Sequence, residues 1–115
     1  MAECKAVWNG EVIAESKKCI TTEGNLYFPP DAVKRNFIKP SERQYTCPWK
    51  GQAGYYNLVV DGKVNRDAAW YYFRTTRDAK ALKNYVAFDK SLGVEVEGEP
   101  VAHIEPPEGH RLDTP

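Results

Sequence analysis

Apolar and polar residues along this chain alternate in short runs, broken every few positions by Gly, Pro, Asn or Asp. That is the pattern of short strands joined by tight turns. Residues 4–8 and 11–15 flank Asn9-Gly10, a dipeptide whose two members both accept the positive φ of a two-residue hairpin turn. An unbroken hairpin pairs Val7 with Val12 and Lys5 with Ala14, placing Cys4, Ala6 and Trp8 on one face with Glu11, Ile13 and Glu15. Next comes a turn at Glu23-Gly24-Asn25 and a strand through Leu26-Tyr27-Phe28, stopped by Pro29-Pro30. Asp31 caps a short helical segment over 32–36, and a short strand over 44–47 ends at Pro48. Residues 53–60 turn at Asp61-Gly62 and return to about Phe73. Without a bulge, Tyr55 faces Ala68, Ala53 faces Trp70 and Gly51 faces Tyr72. Tyr55, Trp70 and Tyr72 then share one face while Tyr56, Tyr71 and Phe73 share the other, so this sheet is covered on both sides. Thr75 caps a helix with Ala79, Leu82 and Val86 at helical spacing, ending near Asn84. Residues 85–88 and 94–97 read as a last hairpin. The sum is one mainly β domain over 4–98 with one or two short helices. A Pro-rich acidic tail follows over 99–115, ordered only if it docks.

Composition narrows this picture. The 115 residues include three Trp, seven Tyr and four Phe, enough aromatic surface for a dense small core. Sixteen basic residues balance sixteen acidic ones, which argues against a nucleic-acid binder. The balance is uneven: residues 1–90 hold fifteen bases and ten acids, whereas 91–115 hold six acids and one base. The sequence suggests a mildly basic body with a solvated acidic end, or an end that folds back over the body. With no long apolar run, the expectation is a cytoplasmic protein without a membrane span, a monomer or weak homodimer.

Cys4, Cys19 and Cys47 form no C-x-x-C pair, and His103 and His110 stand seven apart in a Pro-rich stretch. Neither arrangement suits a disulfide scaffold or a tetrahedral metal site, so no metal and no cofactor are expected.

The motifs Trp8-Asn9-Gly10, Glu23-Gly24-Asn25-Leu26-Tyr27-Phe28-Pro29, Thr46-Cys47-Pro48-Trp49-Lys50-Gly51, Tyr55-Tyr56 and Ala69-Trp70-Tyr71-Tyr72 occur in that order. With them the chain resembles the domain of unknown function family 427 over roughly residues 4–98. The resemblance implies a β-tent fold, similar to yippee proteins, methionine sulfoxide reductase B and the thalidomide-binding domain of cereblon. Many of those hold zinc with four cysteines. This chain lacks the pairs, so its aromatic core must hold the fold instead. The family is sometimes labelled nucleotidyltransferase-like, yet the chain has no Asp-x-Asp and no G-x-x-x-x-G-K-[ST] phosphate loop.

Thr46–Gly51 is the most suggestive segment. Pro48 breaks the strand, so Trp49 and Lys50 project from a bend beside Gly51. Trp49, Tyr55, Trp70 and Tyr72 then line a cleft for a flat or cationic small molecule, with Lys50 or Glu23 as a polar handle at its rim. The plainer reading packs the aromatics as core and pairs the Glu23 carboxylate with Lys50 or Arg35. Arg74, Arg77, Lys80 and Lys83 offer a phosphate or RNA surface, or simply a solvated face. Two functions remain open: a module binding a small ligand, or a small enzyme using Cys47 as a thiol nucleophile or Glu23 as an acid or base. A surface scaffold is a third, blander possibility.

Overall fold

In the computed structural model, Asn9 and Asp61 take φ of 50° each, ahead of Gly10 at 80° and Gly62 at 76°. Both expected hairpin turns therefore form on residues that tolerate the left-handed region. The structure describes residues 3–108; His110, Arg111 and Asp113 lie outside the described residues. The first hairpin joins β1 (Cys4–Trp8) to β2 (Glu11–Ser16), and β9 (Glu95–Glu97) pairs on the other side of β1. A second sheet sets β3 (Ile20–Thr22) between β4 (Asn25–Tyr27) and β10 (Ala102–His103). The third and largest runs β5 (Ile38–Cys47), β6 (Gly51–Val60), β7 (Lys63–Thr75) and β8 (Val86–Phe88) in that order.

Bulges correct the expected registers. In the first hairpin Val7 faces Val12 as expected, but the register shifts and Lys5 faces Glu15 rather than Ala14. The extra residue lets Ile13 and Ala14 both turn inward while Glu11 and Glu15 stay exposed. In the central hairpin Leu58 faces Asn65, then Tyr56 faces Ala69, so Asn57 alone spans three residues of β7. Asp67, at φ 56°, sits in this bulge. Its N–H donates to the Asn57 side-chain oxygen at 2.9 Å and its carboxylate accepts from the Ser41 hydroxyl at 2.5 Å. The shift makes Tyr55 face Trp70 and Ala53 face Tyr72, while Gly51 faces Thr75. Because two residues are inserted at Asn57, the side-chain alternation survives and Tyr55, Trp70 and Tyr72 stay on one face.

That alternation splits the interior in two. Leu58, Val60, Ala69, Val86 and Phe88 pack on one face of the large sheet with Ala6, Ile13 and Phe28. Ala53, Tyr55, Trp70, Tyr72 and Ala87 pack on the other with Ile20, Tyr27, Trp49 and Leu82. The sheet is covered on both sides, as its doubly aromatic strands predict.

Elsewhere local propensity misleads. The strand expected over 44–47 extends back to Ile38, through Pro40 and a run of polar residues that read as loop. It is an edge strand, where Pro and charge are tolerated. The helix expected over 32–36 is replaced by two 3₁₀ turns, Pro30–Ala32 and Arg35–Phe37. The helix expected after Thr75 is a 3₁₀ segment, Arg77–Leu82, entered from Thr76 without a side-chain cap. Its Ala79 and Leu82 are buried, but Val86 belongs to β8. The last hairpin does not form, since β8 pairs with β7 and β9 with β1. A 3₁₀ turn at Lys90–Leu92 and Gly93 at φ 85° redirect the chain between sheets.

Gly51 is the least replaceable turn residue. Its φ is 123°, and a Cβ there would lie 2.0 Å from the Arg74 carbonyl oxygen. Gly51→Ala is expected to cost about 2 kcal/mol or more in urea denaturation, from backbone strain plus the clash. Gly62→Ala meets no neighbour within 4 Å and should cost less.

Candidate functional site

Pro48, Trp49 and Lys50 form the turn that joins β5 to β6. Proline cannot donate to a sheet ladder, so pairing stops there, and Gly51 restarts it with a backbone only glycine readily adopts. The segment after β7 pins this turn. Thr76 N–H donates to the Lys50 carbonyl at 3.2 Å, and the Thr76 hydroxyl donates to the Trp49 carbonyl. Trp49 and Lys50 do project from the bend, but inward: Trp49 is 2% exposed and Lys50 0%.

The Lys50 ammonium pairs with the Glu23 carboxylate, both side chains fully buried. Glu23 stands in the β3–β4 turn at φ 52°, just before Gly24 at 80°. The turn thus aims a carboxylate at a neighbouring sheet. The ammonium also lies 5.3 Å from the Tyr72 ring centroid and 5.6 Å from that of Trp49, so two aromatic faces share its desolvation with the carboxylate. Arg35, the other candidate partner for Glu23, donates instead to the Tyr56 hydroxyl and the Pro30 carbonyl.

Trp49, Tyr55, Trp70 and Tyr72 belong to one buried cluster and Lys50 sits against it, so the sequence-derived residues gather at one place. They are enclosed by the core: none of the four aromatics is more than 3% exposed, and neither Lys50 nor Glu23 presents its charge at a rim. A broad open groove of about 890 Å³ lies elsewhere, among Ser16, Lys17, Pro30, Asp31 and Tyr85. Charge, aromatic faces and polar atoms without partners among the described residues coincide in the buried cluster. Tyr27, unremarked in the sequence, accepts a 3.1 Å hydrogen bond from Trp70 Nε1 and meets its ring edge-on. Its signal was the inward position in Leu26-Tyr27-Phe28. Arg43 places its guanidinium 4.5 Å from the Tyr55 ring centroid.

Three polar atoms of the cluster are buried with no hydrogen-bond partner among the described residues: Trp49 Nε1, Tyr55 Oη and Tyr72 Oη. Burial pushes the Tyr27, Tyr55 and Tyr72 phenols above the ordinary tyrosine range, because a phenolate there would lose its hydration. Cys47 ends β5 inside the same cluster, 1% exposed. The Cys4 and Cys19 thiols are also buried and held above the usual range by desolvation. Arg74, Arg77, Lys80 and Lys83 are solvent-exposed. Among the described residues no group of three or more His, Cys, Asp or Glu is placed to hold a metal ion, and no helix is long and apolar enough to cross a membrane.

Removing one member of the buried pair strands the other. Glu23→Ala is expected to lower stability by about 3–5 kcal/mol in urea denaturation, and Glu23→Leu combined with Lys50→Met to recover most of that loss. The phenols set an alkaline limit. Their folded pKa lies above the unfolded value of about 10, so their contribution is complete below that pH and is lost as pH rises beyond it. Tyrosinate absorbance should show Tyr27, Tyr55 and Tyr72 ionising only with alkaline unfolding. Normal titration of all seven tyrosines in a still-folded chain would contradict the burial.

Comparison with curated proteins finds no match. A family model described as a domain of unknown function (DUF427), with the short name NTP_transf_9, matches residues 2–101 and so includes every residue of the buried cluster but Ile104. By that match, which runs from the first hairpin to the start of the tail, the chain belongs to the domain of unknown function family 427.

Proposed function

We propose that this domain is a binding module for a small, flat ligand held within the aromatic cluster beside Lys50 and Glu23. One observation carries the reading: three buried polar atoms, Trp49 Nε1, Tyr55 Oη and Tyr72 Oη, have no hydrogen-bond partner among the described residues, in a cluster beside a fully buried ion pair. Folded proteins satisfy nearly all such atoms, and unsatisfied ones concentrate where water or a ligand completes the set. An indole N–H and two phenols suit a planar molecule that offers hydrogen-bond acceptors between aromatic faces. The Lys50 ammonium already lies against Trp49 and Tyr72, and Arg43 over Tyr55. The cation positions on those rings are taken by the protein itself, which favours an uncharged ligand over a cationic one.

Tyr72→Phe tests the reading without breaking the ion pair, because it removes one partnerless hydroxyl and keeps the ring. In a thermal-shift screen of uncharged aromatic heterocycles bearing carbonyl groups, at least one compound should raise the melting temperature of the native chain. Its affinity for Tyr72→Phe should be weaker by about 1–2 kcal/mol, with the unliganded stability unchanged within about 0.5 kcal/mol. No stabilising compound, or one that binds both chains equally, would overturn the proposal.

A further inference from the structure

The aromatic cluster is buried, so a ligand reaches it only if part of its cover moves. The cover is uneven. Behind Tyr55, Trp70 and Tyr72 stand β6 and β7, ten and thirteen residues long and each paired on both sides. The segment 99–104 is held far less firmly. Its strand β10 has two residues and joins β3 in parallel, Ala102 beside Ile20 and His103 beside Thr21. Besides the short ladder with β3, four hydrogen bonds fasten it among the described residues. Val101 N–H donates to the Cys19 carbonyl at 2.8 Å and Ile104 N–H to the Thr21 carbonyl at 2.9 Å. The Thr22 hydroxyl donates to the Ile104 carbonyl at 2.6 Å, and the Cys4 thiol to the Glu99 carbonyl at 3.2 Å. Val101 is 51% exposed, and Ala102 and His103 are exposed as well. Ile104 packs inward, against the aromatic cluster itself.

We infer that residues 99–104 are a detachable strap over the aromatic cluster, and that peeling the strap from β3 is the motion that admits the ligand. The inference rests on the binding reading above and adds the route of entry. Local opening is cheapest where few buried contacts and exposed backbone hydrogen bonds hold a segment, and the strap is such a segment. Its release removes Ile104 from the cluster and frees the outer edge of β3. Thr22, which grips the strap, is followed directly by Glu23, which grips Lys50. Opening the strap therefore loosens the turn that holds the carboxylate. The strap straddles the end of the 2–101 family match, so the gate lies at the margin of the family domain rather than within it.

Native-state hydrogen exchange on the full-length chain tests this without any ligand. The Trp49 indole proton is buried and has no acceptor among the described residues, which makes it a reporter for the cluster. It should exchange with the same opening equilibrium as the Val101 and Ile104 amides, at least about tenfold faster than the paired amides of β6 and β7. Thr22→Val, which fills the same buried space and removes the hydroxyl, should speed all three protons together and leave the β6 and β7 amides unchanged. If the Trp49 indole proton exchanges only with β6 and β7, or if Thr22→Val speeds the strap amides alone, the strap does not gate the cluster. A strap that opens as described in a chain that binds none of the heterocycles would sink the binding reading and leave the opening itself intact.

Discussion

Two charges buried without any exposure, Lys50 and Glu23, impose the main constraint on this molecule. Taking both out of water costs several kcal/mol each, and only close geometry repays it. The surroundings are arranged to hold that geometry. The two residues come from different turns on different sheets, so the pair fixes the β3–β4 unit against the four-stranded sheet. Gly51 lets the chain leave Lys50 along a backbone that other residues disfavour, Thr76 ties down the carbonyls of Trp49 and Lys50, and two ring faces flank the ammonium. A substitution that shifts either turn acts on the ion pair first.

The second constraint is parity along β6. That strand serves two cores, sending Leu58 and Val60 to one and Ala53 and Tyr55 to the other. A one-residue slip in mid-strand would exchange them. Both neighbours instead change register by two residues near the middle of β6. Ser41, Glu42 and Arg43 of β5 stand against Tyr55 alone, and Arg66, Asp67 and Ala68 of β7 against Asn57. Ser41 and Asp67 then meet across β6 through their hydrogen bond. The irregularities lock each other, and the aromatic set stays on one side.

Ion pair and parity together produce a buried aromatic cluster in which three polar atoms have no hydrogen-bond partner among the described residues. Family membership fixes the lineage of this arrangement but assigns it no task. The proposed binding role rests instead on polar atoms without partners among the described residues, beside a charge pair whose turn adjoins the strap.

The sequence by itself determined much of this protein. Asn9-Gly10 and Asp61-Gly62 placed two hairpins, because few residues accept positive φ at both turn positions. The alternation through β6 and β7 put Tyr55, Trp70 and Tyr72 together, and Pro48 and Gly51 marked the bend that carries Lys50. The charges also allow Glu23 to pair with Lys50 or with Arg35, and the fold selects Lys50. Tertiary structure decided what local pattern could not reach. Bulges depend on contacts across strands, so Tyr55 meets Trp70 rather than Ala68. The residues after Thr76 carry helical spacing but form 3₁₀ turns over Arg77–Leu82, interrupted at Ala79, whose backbone leaves the helical region at φ −111° and ψ 16°. Whether Lys50 sits at a rim or in the core depends on what the β3–β4 turn places over it, and that turn lies 27 positions away in the sequence. Long-range packing enclosed the site, and no short window of residues records it.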